Sequence, residues 1–519
     1  MAREIKALVS RMGLLRWLAV GVAVVLGGVG AVALAQPNAL PPPGDTLAAP
    51  APTRAPPPAP APAPAPIPQV ALRPDQITLL LRTLAQADSH GFDPDAFSAP
   101  GLEAQLGARD PQARAAAQMQ LVALTLRYAN AVHAGRLPPA SFLHEWGLKP
   151  PPYDPTPGFV QAVAQDRLGA WLSSLPPPYT GYDALRRGLV TYRTIVARGG
   201  WGVIAAGPDL KVGATGPRVA ALRARLAIED PTVTAAGPPV FDDALAAGVA
   251  RAQKRFGLAP TGVVDKSTLA ELNTPADQRV DQIVANMERW RWLPADLPSD
   301  RIQVNIAAAV LSVFHDDTPV LSMRAATGRP GDETPMLQSM IHSIVLNPPW
   351  NVPSDIATKE LWPKERAHPG YFKRNDFIVI RSPDGGSRLQ QKAGPKAALG
   401  HVKFDFANSY GVYLHDTPNH GAFDRYGRLV SHGCVRLERP VVLANAVMTG
   451  SSQWTPDVID QTIAGGDTVR APLPKPIAVF LLYWTAYVGP DGQVNFRSDP
   501  YNWDHILTQK LAALAHATA

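Results

Sequence analysis

The 519-residue chain has a single cysteine, Cys434, set in Ser431-His432-Gly433-Cys434-Val435-Arg436. Ahead of it, Tyr413-Leu414-His415-Asp416-Thr417 carries a second histidine. A thiol becomes an effective nucleophile when its thiolate is favoured, and a nearby histidine is the usual means. Gly433 lets the backbone approach a reacting carbonyl closely. Amides around Cys434 would then donate to a developing oxyanion, each contributing about 3 kcal/mol. Acyl transfer is the chemistry that this grouping suits. Two rivals stand beside it. A free cysteine is often only a small buried hydrophobe. His401, His415, His420, His432 and Cys434 also lie close enough in sequence to suggest zinc, but their spacings fit no common zinc pattern and there is no cysteine pair. No metal and no cofactor is expected.

The elements that must position these residues are legible in outline. Arg3, Lys6, Arg11 and Arg16 precede an apolar stretch from Trp17 to Ala35 that closes on Ala33-Leu34-Ala35. That is the pattern of an export signal, and the stretch is also long enough to remain as a membrane anchor. Residues 1–35 are therefore read as a signal peptide or N-terminal anchor, with the body of the protein outside the cytoplasm. Exported chains usually pair their cysteines, so a solitary one is available for chemistry. Residues 36–68, nearly all Ala and Pro, form a stiff linker.

From 69 to 205, Ile77, Leu80, Leu81 and Leu84, then Leu121, Leu124 and Tyr128, recur at helical spacing. Proline clusters divide this region into short helices of a scaffold. Residues 206–275 form a second unit. Pro217 opens one helix, Leu245 to Phe256 lies on another that Gly257 ends, and Asp265 caps a third. From about 300 to 470 the texture is that of strands, with Ile302, Val304 and Ile306, then Val402, Phe404 and Phe406, alternating with polar residues. Inside this stretch lies an insertion, about 350–400, rich in Pro, cations and aromatics. A loop of that length is usually functional or disordered. In the last segment, 471–519, Val479 to Tyr483 and Val494 to Phe496 read as a hairpin, followed by a helix from Trp503.

The Gly-x-x-Gly-Pro-x-Val-x-x-Leu pattern from Gly213, with Phe-Gly-Leu-x-x-x-Gly-x-x-Asp from Phe256, resembles a three-helix peptidoglycan-binding domain. The pattern His415…Ser-His-Gly-Cys-Val-Arg resembles the catalytic domain of the L,D-transpeptidases, in the layout of the large Gram-negative enzymes with a substrate cap. The resemblance implies an α+β multidomain protein: helical scaffold, peptidoglycan-binding-like unit, and a mostly β catalytic domain with an inserted cap. It implies Cys434 as nucleophile and His415 as general base, its ring oriented by the Asp416 carbonyl or a nearby group. His432 supports them, and Tyr413 assists the oxyanion beside the amides of Gly433 and Cys434. Arg436, Ser431, Asp416 and Trp350 are expected on the substrate side.

The implied reaction releases D-alanine from a donor stem peptide. It then joins two third-position diaminopimelate residues through a Cys434 acyl-enzyme. Carbapenem-type inhibitors should acylate the same thiol. Water, a D-amino acid or a lipoprotein lysine are alternative acceptors, and a non-enzymatic wall-binding protein is the reading from another class. The net charge of +6 is thinly spread, with no basic run interleaved with aromatics. It suits an acidic wall polymer and argues against nucleic acid. The expected location is the periplasm or cell envelope, with contact to the membrane only through an N-terminal anchor.

Overall fold

A computed structural model describes residues 67–381 and 385–518. The apolar N-terminal stretch of 1–35 and nearly all of the Ala/Pro linker lie outside the described residues. Among those described, no helix is long and apolar enough to cross a membrane.

The first region is helical. Its long helix, Pro111–Ala134, starts where the Asp110 side chain accepts from the Gln112 and Ala113 amides. Leu80, Leu121, Tyr128 and Phe159 pack into a core of this region's own. The next unit runs through Pro217–Ala227, Asp243–Arg255 and Lys266–Asn273. Asp242 and Asp265 cap the latter two helices, accepting from the Leu245 amide at 2.8 Å and the Thr268 amide at 2.7 Å. Val219, Leu222, Leu245, Val249 and Phe256 fill its interior, which is continuous with the core of the β region.

Helix Ala276–Trp290, for which no expectation was formed, ties the parts together. Glu288, near its end, meets Arg136 of the scaffold at 3.3 Å and Arg291 at 2.8 Å. Arg289 meets Asp504 of the last helix at 2.5 Å.

The β region is built on a nine-stranded sheet. Its order is Leu429–Ser431, Thr318–Gly328, Val435–Leu437, Leu414–His415, Val402–Phe406, Leu337–Leu346, Val469–Leu482, Asp300–Asn305, Val310–His315. Val310–His315 pairs in addition with Thr318–Gly328, so the sheet curls back on itself. The expected hairpin between 479–483 and 494–496 does not form. The apolar run 477–482 is instead the end of Val469–Leu482, a central strand paired with Leu337–Leu346 on one side and Asp300–Asn305 on the other. Burial on both faces explains why the run is continuously apolar rather than alternating. The hairpin partner of Val494–Phe496 is Ala486–Val488.

The insertion is a small folded body and not a loop. Trp350–Asn351, Phe377–Arg381 and Ser387–Gln391 form a three-stranded sheet. Short helices between 354 and 374 pack on it, with Val352, Leu361, Phe372, Phe377 and Leu389 as the core. Trp362 closes that core by meeting Phe372 edge-on at 4.9 Å.

Candidate active site

Strand alternation puts the motif on one face. Leu414 and His415 pair in parallel register with Val435 and Arg436, and the Val435 amide donates to the Tyr413 carbonyl at 3.0 Å. Leu414, Val435 and Leu437 are turned into the core and fully buried. The intervening residues, Tyr413, His415, Cys434 and Arg436, therefore share the opposite face. They line a groove of about 610 Å³ whose other wall is the cap. From the cap, Trp350, Glu360, Lys364 and Tyr371 reach this groove. Of the other cap residues rich in charge or aromatic surface, Trp362 and Phe372 belong to the cap's own core. The Arg374 guanidinium is held by the Pro369 and His368 carbonyls.

His415 is buried, and its Nδ1 lies 2.5 Å from the Asp416 carbonyl. A carbonyl only accepts, so Nδ1 carries the proton and Nε2 keeps its lone pair. Burial, with Arg436 and Lys403 nearby, pushes the imidazole down to about 3, against a smaller opposing effect from the Asp416 carbonyl. Burial also raises the Cys434 thiol above its ordinary value. The Tyr413 amide and hydroxyl, Lys403 and Arg436 pull the other way without winning. The resting pair is thus neutral thiol and neutral imidazole, not the preformed thiolate that the motif suggests. Attack must be coupled to proton transfer.

The Tyr413 hydroxyl lies beside the thiol, and Trp350 lines the same groove. Burial and the adjacent sulfur hold the phenol far above its usual titration range. Lys403, opposite His415 in the ladder, lies 4.2 Å from the Tyr413 ring centre.

Gly433 has φ +101°, in the region that favours glycine, and a Cβ there would stand 3.3 Å from the Glu333 carbonyl. Its amide, expected in the oxyanion site, donates instead to the Ser431 hydroxyl at 3.2 Å. That hydroxyl in turn donates to the Cys434 carbonyl at 2.5 Å. Ser431, expected to meet substrate, borders the groove but is nearly fully buried, with its hydroxyl engaged in the turn. Asp416, also expected on the substrate side, is buried facing away. Its carboxylate accepts from the His401 amide at 2.8 Å and the Thr417 amide at 2.7 Å. Gly400 makes that approach possible, since a Cβ would fall 2.3 Å from the carboxylate.

The Cys434 amide has no hydrogen-bond partner among the described residues. The Arg436 guanidinium is half-buried in the groove and paired with no carboxylate among the described residues.

Three further residues act on the turn without any local motif to announce them. Thr334 donates to the Gly433 carbonyl at 2.7 Å and accepts from the Gly328 amide at 2.8 Å. Tyr501, near the C-terminus, donates to the Gly328 carbonyl at 2.5 Å and accepts from the Thr334 amide at 3.3 Å. Glu360 of the cap places Oε1 2.6 Å from His432 Nε2. Two acceptors do not meet at that distance, so Nε2 is protonated and donates. Among the described residues no cluster of three or more His, Cys, Asp or Glu is arranged to hold a metal ion.

Known proteins carry the same parts. Residues 299–459 match the L,D-transpeptidase catalytic domain, residues 72–189 a family described as "Scaffold domain", and residues 215–272 a "Putative peptidoglycan binding domain". A Haemophilus influenzae protein named "Putative L,D-transpeptidase" is 33% identical over 251 residues, which is 45% of this chain and 50% of that protein. The chain thus spans about half the length of the curated relative it matches. Two solved structures are also similar. The L,D-transpeptidase from Xylanimonas cellulosilytica is 16% identical, covering 54% of this chain and 99% of the other, with a TM-score of 0.18. L,D-transpeptidase 3 from Mycobacterium tuberculosis, in complex with a faropenem-derived adduct, is 16% identical over 36% of this chain and 60% of the other, with a TM-score of 0.19. At these scores neither superposition bears on the chemistry. The family matches give the arrangement: a region matching the L,D-transpeptidase catalytic domain follows regions matching a scaffold domain and a putative peptidoglycan-binding domain in an α+β chain.

Proposed function

We propose that this protein, which carries an L,D-transpeptidase catalytic domain, forms peptidoglycan cross-links through a Cys434 acyl-enzyme. The observation that carries the reading is the shared face of Cys434, Tyr413, His415 and Arg436, with the His415 proton fixed on Nδ1. His415 Nε2 is then the one ring nitrogen able to take the thiol proton. As it does, sulfur attacks the carbonyl joining the third stem residue to the terminal D-alanine. The Cys434 amide and the Tyr413 hydroxyl donate to the oxyanion. Collapse breaks the C–N bond, His415 returns its proton to the departing D-alanine nitrogen, and a thioester remains. The side-chain amine of diaminopimelate on a second stem attacks the thioester carbonyl. Its proton passes through His415 to the leaving sulfur, which restores the thiol. No cofactor enters. Arg436, without a carboxylate of its own, is suited to a stem-peptide carboxylate.

The matched domains support a cell-envelope location. The finer reading is export to the periplasm through residues 1–35, as signal or anchor. The deciding experiment incubates the purified protein with disaccharide-tetrapeptide and reads product masses. A dimer with loss of D-alanine supports a cross-linking enzyme. Tripeptide alone makes water the acceptor, and unreacted substrate sinks the acyl-transfer reading.

A further inference from the structure

Among the described residues, Glu360 is the cap residue whose carboxylate meets the catalytic turn. It accepts from His432 at 2.6 Å, and the Arg329 guanidinium of the neighbouring loop lies 3.7 Å from the same carboxylate oxygen. The contact joins residues 72 positions apart in sequence. Backbone geometry at Glu360 is also unusual, because Ala357–Leu361 is a π-helical turn. Pro363 has no N–H to give the Lys359 carbonyl four residues back, so the ladder is disturbed just there. Such turns are uncommon and recur at functional positions. Here the turn carries the carboxylate that contacts His432, two residues before the nucleophile.

We propose that Glu360 is a positioning residue that latches the cap onto the catalytic turn through His432. Closing the cap and fixing the wall beside Cys434 are then a single event. The latch would keep water from the thioester while an amine acceptor is awaited. That last consequence rests on the proposed acyl transfer, whereas the latch itself does not.

The test uses the full chain as wild type, E360A, E360Q, H432A and the E360A/H432A double variant. Hydrogen exchange of the 354–367 amides reports the latch without any turnover. E360A and H432A should each exchange there about fivefold faster. E360Q, which keeps an acceptor oxygen, should stay within about twofold of wild type, and the double variant should exceed neither single one. Wild-type protection in E360A, equal loss in E360Q and E360A, or additive effects in the double variant would each overturn the proposal. With disaccharide-tetrapeptide, E360A should raise the tripeptide-to-dimer ratio about fivefold and E360Q should restore it. An unchanged ratio with faster exchange overturns the water-excluding role. A wild type that yields no product overturns the acyl-transfer reading instead, and leaves the exchange result to decide the latch.

Discussion

In the helical unit around 210–272, buried charge is matched inside the fold. Arg225 and Arg255 share Glu229 at 2.6 and 3.2 Å, Arg223 meets Asp242 at 3.1 Å, and Arg279 meets Glu271 at 2.7 Å. Burial would raise the Glu229 carboxyl, yet the two arginines hold it down to about 2. The groove around Cys434 differs. Among the described residues, its arginine has no carboxylate, its nucleophile amide has no acceptor, and its base keeps a free lone pair. Charges paired with an opposite charge inside the chain brace it, and an unpaired charge on a concave face is placed to meet a ligand. Both regions are rich in charge, so composition alone does not separate them.

The largest expected effect breaks the chemistry and spares the fold. Cys434→Ala removes only a sulfur from a half-buried site. It should unfold at the wild-type urea concentration and lose turnover by at least about 10⁴-fold. Intact mass after meropenem should show one adduct on the wild type and none on the variant. An adduct on both would place the reactive group elsewhere.

Next is the base. His415→Ala should lower acylation by about 10³-fold. In the wild type the imidazole, pushed down to about 3, stays neutral throughout the neutral range. The acylation rate should therefore be flat between about pH 5 and 7.5. A rise centred near the ordinary histidine value would show that His415 is not the buried neutral base described here. The same burial has a stability consequence, shared with His90, also pushed down to about 3. The unfolded chain binds the extra protons, so the contribution is complete above the unfolded histidine pKa and is lost as pH falls from there towards 3. Urea midpoints should drop over that window.

The bracing region should answer in the opposite sense. Glu229→Ala leaves Arg225 and Arg255 buried without their carboxylate. It should cost about 3 kcal/mol or more in urea unfolding. Meropenem acylation of the folded fraction should stay within about twofold of wild type. Because this unit's core is continuous with that of the catalytic sheet, a point change tests it more cleanly than a deletion. A comparable fall in acylation would mean that the unit shapes the groove.

What sequence could show of this division follows from distance along the chain. Cys434 and His415 were legible from their grouping, and Tyr413 and Arg436 from the resemblance; strand alternation is what puts the four on one face once the two segments pair. The cap at Asp265 was legible because a helix start is a local event. Asp416 was expected at the substrate since it stands in the motif, but adjacency does not say which way a side chain turns. Thr334, Tyr501 and Glu360 left no local trace. Their hydrogen bonds span 99, 167 and 72 residues. The 477–482 run misled for a related reason, since a short apolar segment reads equally well as a hairpin arm or as a central strand.

The smallest expected effect sharpens the comparison most, because it asks what the unpaired arginine is for. Arg436 faces His415 across the ladder and shares the groove with Cys434, so its replacement could act through the base as easily as through the substrate. Arg436→Met should raise KM for the tetrapeptide donor about tenfold, the scale of one charge-assisted contact. The two routes separate with a donor whose free carboxylates are amidated. If Arg436 binds a carboxylate, the amidated donor is already poor for the wild type, and Arg436→Met should then add little. If Arg436 acts by depressing His415, its loss should change kcat for both donors alike, and the acid limb of the pH profile should move up as the imidazole becomes easier to protonate. Equal penalties on both donors, with that shift, would make Arg436 a tuning charge and move it to the bracing side of the comparison.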